Sequence, residues 1–200
     1  MSTGLGGRQA EIKRKTLETE ILVNLDLDGV GQYQIDTEVG FLSHMLSLLS
    51  AHSMMNLKVW ARGDTEVDYH HTVEDIGICI GEAIKSALGD MRGITRYGSA
   101  YVPMDEALVR VVIDLSGRSF VVMAGDLPGT QVGNFPTELV EDFFQALANH
   151  TGMNLHIDII RGRNSHHVIE AIFKAFARAL RQASRIEPGM EDVWSTKGKL

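Results

Sequence analysis

The chain has 200 residues, of which 44% are hydrophobic, 22% charged and only 4 are proline, a balance that buries a core and excludes wholesale disorder. Nineteen basic against 26 acidic side chains leave a formal charge of −7, which removes the general attraction on which binders of nucleic acid and anionic membranes depend. The one cysteine, Cys79, has no disulfide partner in the chain, no apolar run reaches the roughly 18 residues of a membrane span, and the N-terminus lacks a signal-like apolar segment, so a cytoplasmic protein is expected.

Taken in chain order, Ile21, Val23, Leu25 and Leu27 alternate with polar residues and stop at Asp28-Gly29, the pattern of a half-buried strand ending in a turn. Leu42 to His52 is helical in composition, and Leu57 and Val59 running to Gly63 predict another strand. After His70-His71, apolar Val73, Ile76, Ile80, Ala83, Ile84 and Ala87 recur at spacings of three and four, which predicts a helix with one buried face. The same series then returns. Leu108 to Leu115 copies the first strand, Thr137 to His150 the first helix, Leu155 to Ile160 the second strand, and Ile169, Ile172, Phe173, Phe176 and Leu180 the second helix.

An offset of 88 carries Val23, Asp26, Leu27 and Gly29 onto Val111, Asp114, Leu115 and Gly117. An offset of 98 carries His52, Met55, Asn56 and Leu57 onto His150, Met153, Asn154 and Leu155, and one of 96 carries His70, His71 and Glu74 onto His166, His167 and Glu170. The expected architecture is α+β: an internally duplicated strand-strand-helix-strand-helix unit, residues 1–93 and 94–200, fused into one body with two sheets and the helices packed between them.

Each copy carries a His-His pair followed three residues later by glutamate. Imidazole with carboxylate suits a first-row divalent ion such as Mn²⁺, Fe²⁺ or Zn²⁺, and the lack of paired cysteines argues against a structural zinc finger. If these residues open helices, His70 shares a face with Glu74 and His166 with Glu170, whereas His71 and His167 point about 100° away. Two ions, each drawing on several segments, satisfy that geometry more simply than one. His44 corresponds to Asp142 at offset 98, so one copy offers imidazole where the other offers carboxylate. Helix capping explains a single such motif equally well, but not two at homologous positions. Arg96, Arg118, Arg161, Arg163, Lys174 and Lys197 are cations in an acidic chain and would suit a small phosphorylated ligand; no dinucleotide or P-loop fingerprint is present.

Phe41-Leu42-Ser43-His44-Met45-Leu46, Asp68-Tyr69-His70-His71-Thr72-Val73-Glu74-Asp75, Gly162-Arg163-Asn164-Ser165-His166-His167-Val168-Ile169-Glu170-Ala171 and Ser195-Thr196-Lys197-Gly198 together resemble the imidazoleglycerol-phosphate dehydratase family of histidine biosynthesis. The likeness runs from Arg14 to Lys197. It implies a hydro-lyase that converts D-erythro-imidazole-glycerol phosphate to imidazole-acetol phosphate with two Mn²⁺ per active site. One ion would be held by His44, His71, His166 and Glu170. The other would be held by His70, Glu74 and His167 with a further ligand at Asp142, where many members carry histidine. The resemblance further implies Glu18 as the substrate-contacting general base, His52 as a substrate contact, and Arg96, Arg118, Lys174, Ser195 and Lys197 around the phosphate. It implies a homo-oligomer of 24 subunits with metal sites between subunits, acting on a small molecule and not on nucleic acid or membrane. Two other readings of the same residues remain open at this point: a metal clip that cements an oligomer without catalysis, and a dinuclear hydrolase.

Overall fold

A computed structural model describes residues 7–195. The first half builds a four-stranded sheet from β1 (Gln9–Lys15), β2 (Thr19–Asp26), β3 (Tyr33–Asp36) and β4 (Asn56–Gly63), with α1 (Gly40–Ser53) and α2 (His70–Leu88). The second half builds another from β5 (Tyr97–Met104), β6 (Ala107–Asp114), β7 (Phe120–Ala124) and β10 (Asn154–Arg161), with α3 (Leu139–Thr151), α4 (Ser165–Ser184) and a small β8–β9 ladder of Gln131–Val132 and Phe135–Pro136. The strand orders are β1-β2-β4-β3 and β5-β6-β10-β7, the same topology twice. In both sheets the last strand runs parallel to its neighbour and the other pairings are antiparallel.

The duplication therefore holds, with one strand more in each four-stranded sheet than the expected unit has, and the β8–β9 ladder added in the second half. β3 and β7 were invisible because each is a short edge strand, half-exposed along its length, and leaves no clean alternation to read. Within β2 and β6 the alternation is as expected: Ile21, Val23 and Leu25, like Val109, Val111 and Ile113, point inward and are at most 3% exposed.

Each sheet buries its inner face under helices, α2 over β1 and β2, and α4 over β5 and β6. The helices then pair across the two halves, α2 with α3 and α1 with α4. Phe143 and Phe144 of α3 meet Phe173 and Phe176 of α4 with ring centroids 4.9–5.3 Å apart, filling the centre with aromatic contacts. The α2–α3 crossing is close because α2 presents glycine there: a methyl group at Gly77 would lie 2.7 Å from the carbonyl oxygen of Phe143, and one at Gly81 would lie 2.5 Å from that of Leu147. One apolar cluster runs from Ile21 in the first sheet through all four helices to Ile157 in the second. Among the described residues no helix is long and apolar enough to cross a membrane.

Candidate active site

All the predicted metal ligands lie in the N-terminal turns of the four long helices. His44 sits in α1, His70, His71 and Glu74 in α2, Asp142 in α3, and His166, His167 and Glu170 in α4. The two His-His pairs are fixed by polar side chains just before each helix, Asn164 as the N-cap of α4 and Asp68 one residue ahead of the α2 cap. Asp68 Oδ1 accepts the backbone N–H of His70 at 2.7 Å, and Asn164 Oδ1 accepts those of His166 and His167 at 3.0 and 3.4 Å. Both motifs thus open a helix, and the 100° fan between neighbouring histidines sends each pair in two directions.

Cross-half helix pairing decides which ligands meet. α1 against α4 brings His44, His166 and Glu170 together with ligand atoms within 4.8 Å of one another. Glu170 Oε2 lies 3.2 Å from His166 Nε2 and 3.6 Å from His44 Nε2. Donors that share an ion at about 2 Å stand about 3–4 Å apart, so these three fit a divalent cation of the borderline class. Glu170 is buried, 7% exposed. Burial alone would raise its pKa, but a hydrogen bond and charge from Lys174, then the hydrogen bond to His166, outweigh it and hold the carboxyl below the usual range. Phe41 closes the site edge-on to His166 at 5.3 Å.

The α2–α3 pair repeats the arrangement with a substitution. His70 Nδ1 lies 3.4 Å from Asp142 Oδ2, and Glu74 is exposed one turn further along α2. This twin set is looser than the first, with no third donor drawn in among the described residues.

His71 and His167 stay outside both sets within the chain. His71 Nδ1 bonds Asp64 Oδ2 at 3.0 Å with Glu18 Oε2 at 3.9 Å, and His167 Nδ1 bonds Glu106 Oε2 at 2.8 Å. These hydrogen bonds, chiefly, raise both imidazoles above their ordinary value. Glu106 is pulled down to about 2 by His167 and by backbone N–H groups. Asp64 and Glu106 escaped the sequence reading because a lone acid in a turn looks like solvated surface. The signal for Glu106 was the offset of 88, which lands it on Glu18.

The expected phosphate ligands divide between two ends of the second sheet. Arg96 forks onto Asp114 at 2.7 and 3.1 Å, lies over the Tyr97 ring and donates to the carbonyl of Trp194, which brings Ser195 into its neighbourhood. Arg118 is exposed in the loop that leaves the same end of β6. Lys174, in contrast, donates to Glu170 beside Met104 at the far end of β5, a strand length of about 25 Å from Arg96. His52 lies near Lys174 and Arg178, where burial first and those two charges next lower its pKa. Lys197 lies outside the described residues.

Comparison with known proteins points to one family. A family model described as imidazoleglycerol-phosphate dehydratase matches residues 37–180. The imidazoleglycerol-phosphate dehydratase of Syntrophomonas wolfei is 62% identical over 193 residues, 96% of this chain and 98% of the relative, and that of Heliobacterium modesticaldum is 57% identical over 96% and 100%. Among solved structures, the enzyme from Staphylococcus aureus superposes with a TM-score of 0.80 at 44% identity over 88% of this chain and 97% of its own. The one from Pyrococcus furiosus gives 0.83 at 34% over 94% and 100%. Similarity of this extent over nearly the whole length, on the same fold, means that the chain belongs to the imidazoleglycerol-phosphate dehydratase family, hydro-lyases of histidine biosynthesis.

Proposed function

We propose that this enzyme dehydrates D-erythro-imidazole-glycerol phosphate to imidazole-acetol phosphate in the cytoplasm, using two Mn²⁺ per active site, in a homo-oligomer of 24 subunits whose metal sites lie between subunits. The observation that carries this reading is the pseudo-symmetry of the two donor sets. His44, His166 and Glu170 form one, Asp142, His70 and Glu74 its positional twin, and each chain has two further imidazoles, His71 and His167, directed elsewhere. Each set is one imidazole short of the quartet expected from the resemblance, and each chain carries one imidazole to give for each set. Exchange between subunits satisfies both at once. The placement of Arg96 and Lys174 at opposite ends of β5, a strand roughly 25 Å long, supports the same conclusion, because one phosphate cannot span it within a single chain.

The donor set of imidazoles and carboxylates without thiolate fits Mn²⁺, which when bound supplies Lewis acidity and orients the azole. The protein's own groups do the rest. Glu18, exposed in the β1–β2 turn and held there through Thr16 Oγ1, which accepts its backbone N–H at 3.0 Å, serves as the general base for the carbon-bound proton. Arg96 and Arg118 offer paired donors and Lys174 and Lys197 point charges to the phosphate, with Ser195 adding a hydroxyl; His52 borders the Lys174 side.

The test is release of imidazole-acetol phosphate by chelator-treated enzyme before and after addition of Mn²⁺. Activity lost on chelation and restored by Mn²⁺ is expected. Full turnover without metal would refute the metal assignment, and Mn²⁺ uptake without turnover would favour the oligomer-clip reading.

A further inference from the structure

The two halves treat their outlying histidines differently, and the difference traces to a single position, the residue that follows the glycine at the end of β4 and its counterpart after β10. At Gly63 a methyl group would meet Thr72 Oγ1 at 2.1 Å and Thr19 Cγ2 at 3.4 Å; at Gly162 it would meet Val168 Cγ2 at 2.3 Å and Ala107 Cβ at 3.2 Å. Thr72 and Val168, like Thr19 and Ala107, are repeat partners, so Gly63 and Gly162 occupy the same place in the fold. The register agrees: Arg62 pairs with Glu20 and Arg161 with Leu108, after a bulge between Ile159 and Arg161 that shifts β10 by one. The residue after each glycine is then also equivalent. It is Asp64 in the first half and Arg163 in the second.

Asp64 gives its Oδ2 to His71, and its Oδ1 is buried with no hydrogen-bond partner among the described residues, so His71 is its one side-chain commitment there. Arg163 cannot do this for His167. Its place is taken by Glu106, which accepts the His167 N–H through Oε2 and the backbone N–H groups of Arg163 and Asn164 through Oε1 at 3.2 and 2.9 Å. Glu106 is the repeat partner of Glu18, and Glu18, with Asp64 already on the imidazole, stands back at 3.9 Å.

We propose that Asp64 and Glu106 are the positioning carboxylates of His71 and His167, each fixing the Nδ1–H tautomer so that Nε2 faces an ion, and that Asp64 is what frees Glu18 from the duty its twin Glu106 performs. A carboxylate on the far nitrogen orients a ligating imidazole and sharpens its basicity. This rests on the metal reading above.

Mn²⁺ titrations followed by the electron paramagnetic resonance of the free aquo ion test it. Glu106→Gln is isosteric and retains an oxygen for the Arg163 and Asn164 N–H groups, but turns an NH₂ donor toward Nδ1 and pushes the ring proton onto Nε2. Affinity at one of the two ions should fall about 10–100-fold with the melting temperature held near wild type. In Asp64→Ala, Glu18 drops onto His71. Turnover should then collapse while Mn²⁺ affinity falls less than in Glu106→Gln, and Asp64→Asn, which turns its amide oxygen to Nδ1, should recover much of the lost turnover. Wild-type Mn²⁺ affinity at both ions in Glu106→Gln, or wild-type turnover in Asp64→Ala, would overturn the proposal while leaving the metal reading in place. A wild-type protein that takes up no Mn²⁺ would bring down both.

Discussion

Replacing Gly77 by alanine probes the crossing that sets the second donor set. The added methyl would stand 2.7 Å from the Phe143 carbonyl oxygen and 3.1 Å from Ala146 Cβ, whereas ordinary contact begins at 3.4 Å, so α3 must retreat from α2 by about 0.7 Å at a backbone atom that cannot rotate away. Overpacking of this size costs roughly 1–3 kcal/mol, and the better helix propensity of alanine returns about 0.5–1, leaving a net loss of about 1 kcal/mol. For a chain of this length that is a fall of about 2–4 °C in Tm. Gly40→Ala is the control, since nothing lies within 4 Å of that position at the start of α1, and there the propensity gain should appear unopposed. Thermal melts of the metal-free proteins followed by circular dichroism supply the comparison. Phe143 adjoins Asp142, so metal analysis of Gly77→Ala should also show loss concentrated at one of two ions. A Tm for Gly77→Ala equal to that of Gly40→Ala would refute the packing argument.

Three further outcomes are expected. Glu18→Gln should leave Mn²⁺ uptake intact while abolishing product release, and unchanged turnover would remove it as the base. Asp142→Ala should lower occupancy at one ion and spare the His44, His166 and Glu170 set, as metal analysis per chain would show; equal retention of both ions would strike Asp142 from the ligands. The imidazole of His167 is raised above its ordinary 6.5 by Glu106, so in metal-free protein the stabilisation it confers is complete below that value and is lost as pH rises through the higher folded pKa. Melts of stripped wild type and Glu106→Gln should therefore differ most below about pH 6.5 and converge as the pH rises above it, whereas Mn²⁺ binding, which needs neutral imidazole, should strengthen in the same direction.

The helices, the histidines and carboxylates that open them and the duplication were all legible in the chain, because 3.6-residue periodicity and a paired motif leave a strong imprint over many positions. The offset even brought Asp142 to the counterpart of His44, and the fold sets it beside His70. Three things were not legible for physical reasons. β3 and β7 pack on one edge and so carry no alternation. The bulge near Ile160 is one residue long and hides inside a deletion, so an offset that is 98 at Leu155 has become 99 at Gly162. The roles of Asp64 and Glu106 depend on where a turn from another segment comes to rest, which periodicity does not encode.

Pairing α2 with α3 and α1 with α4 has a historical corollary. Neither copy owns a whole donor set, so a half-length ancestor would have had to bind its own twin to make one, and symmetry would have forced both clusters to be identical. Joining the copies into one polypeptide ended that constraint. His44 opposite Asp142, and Asp64 opposite Arg163, are two of the many positions at which the two copies now differ.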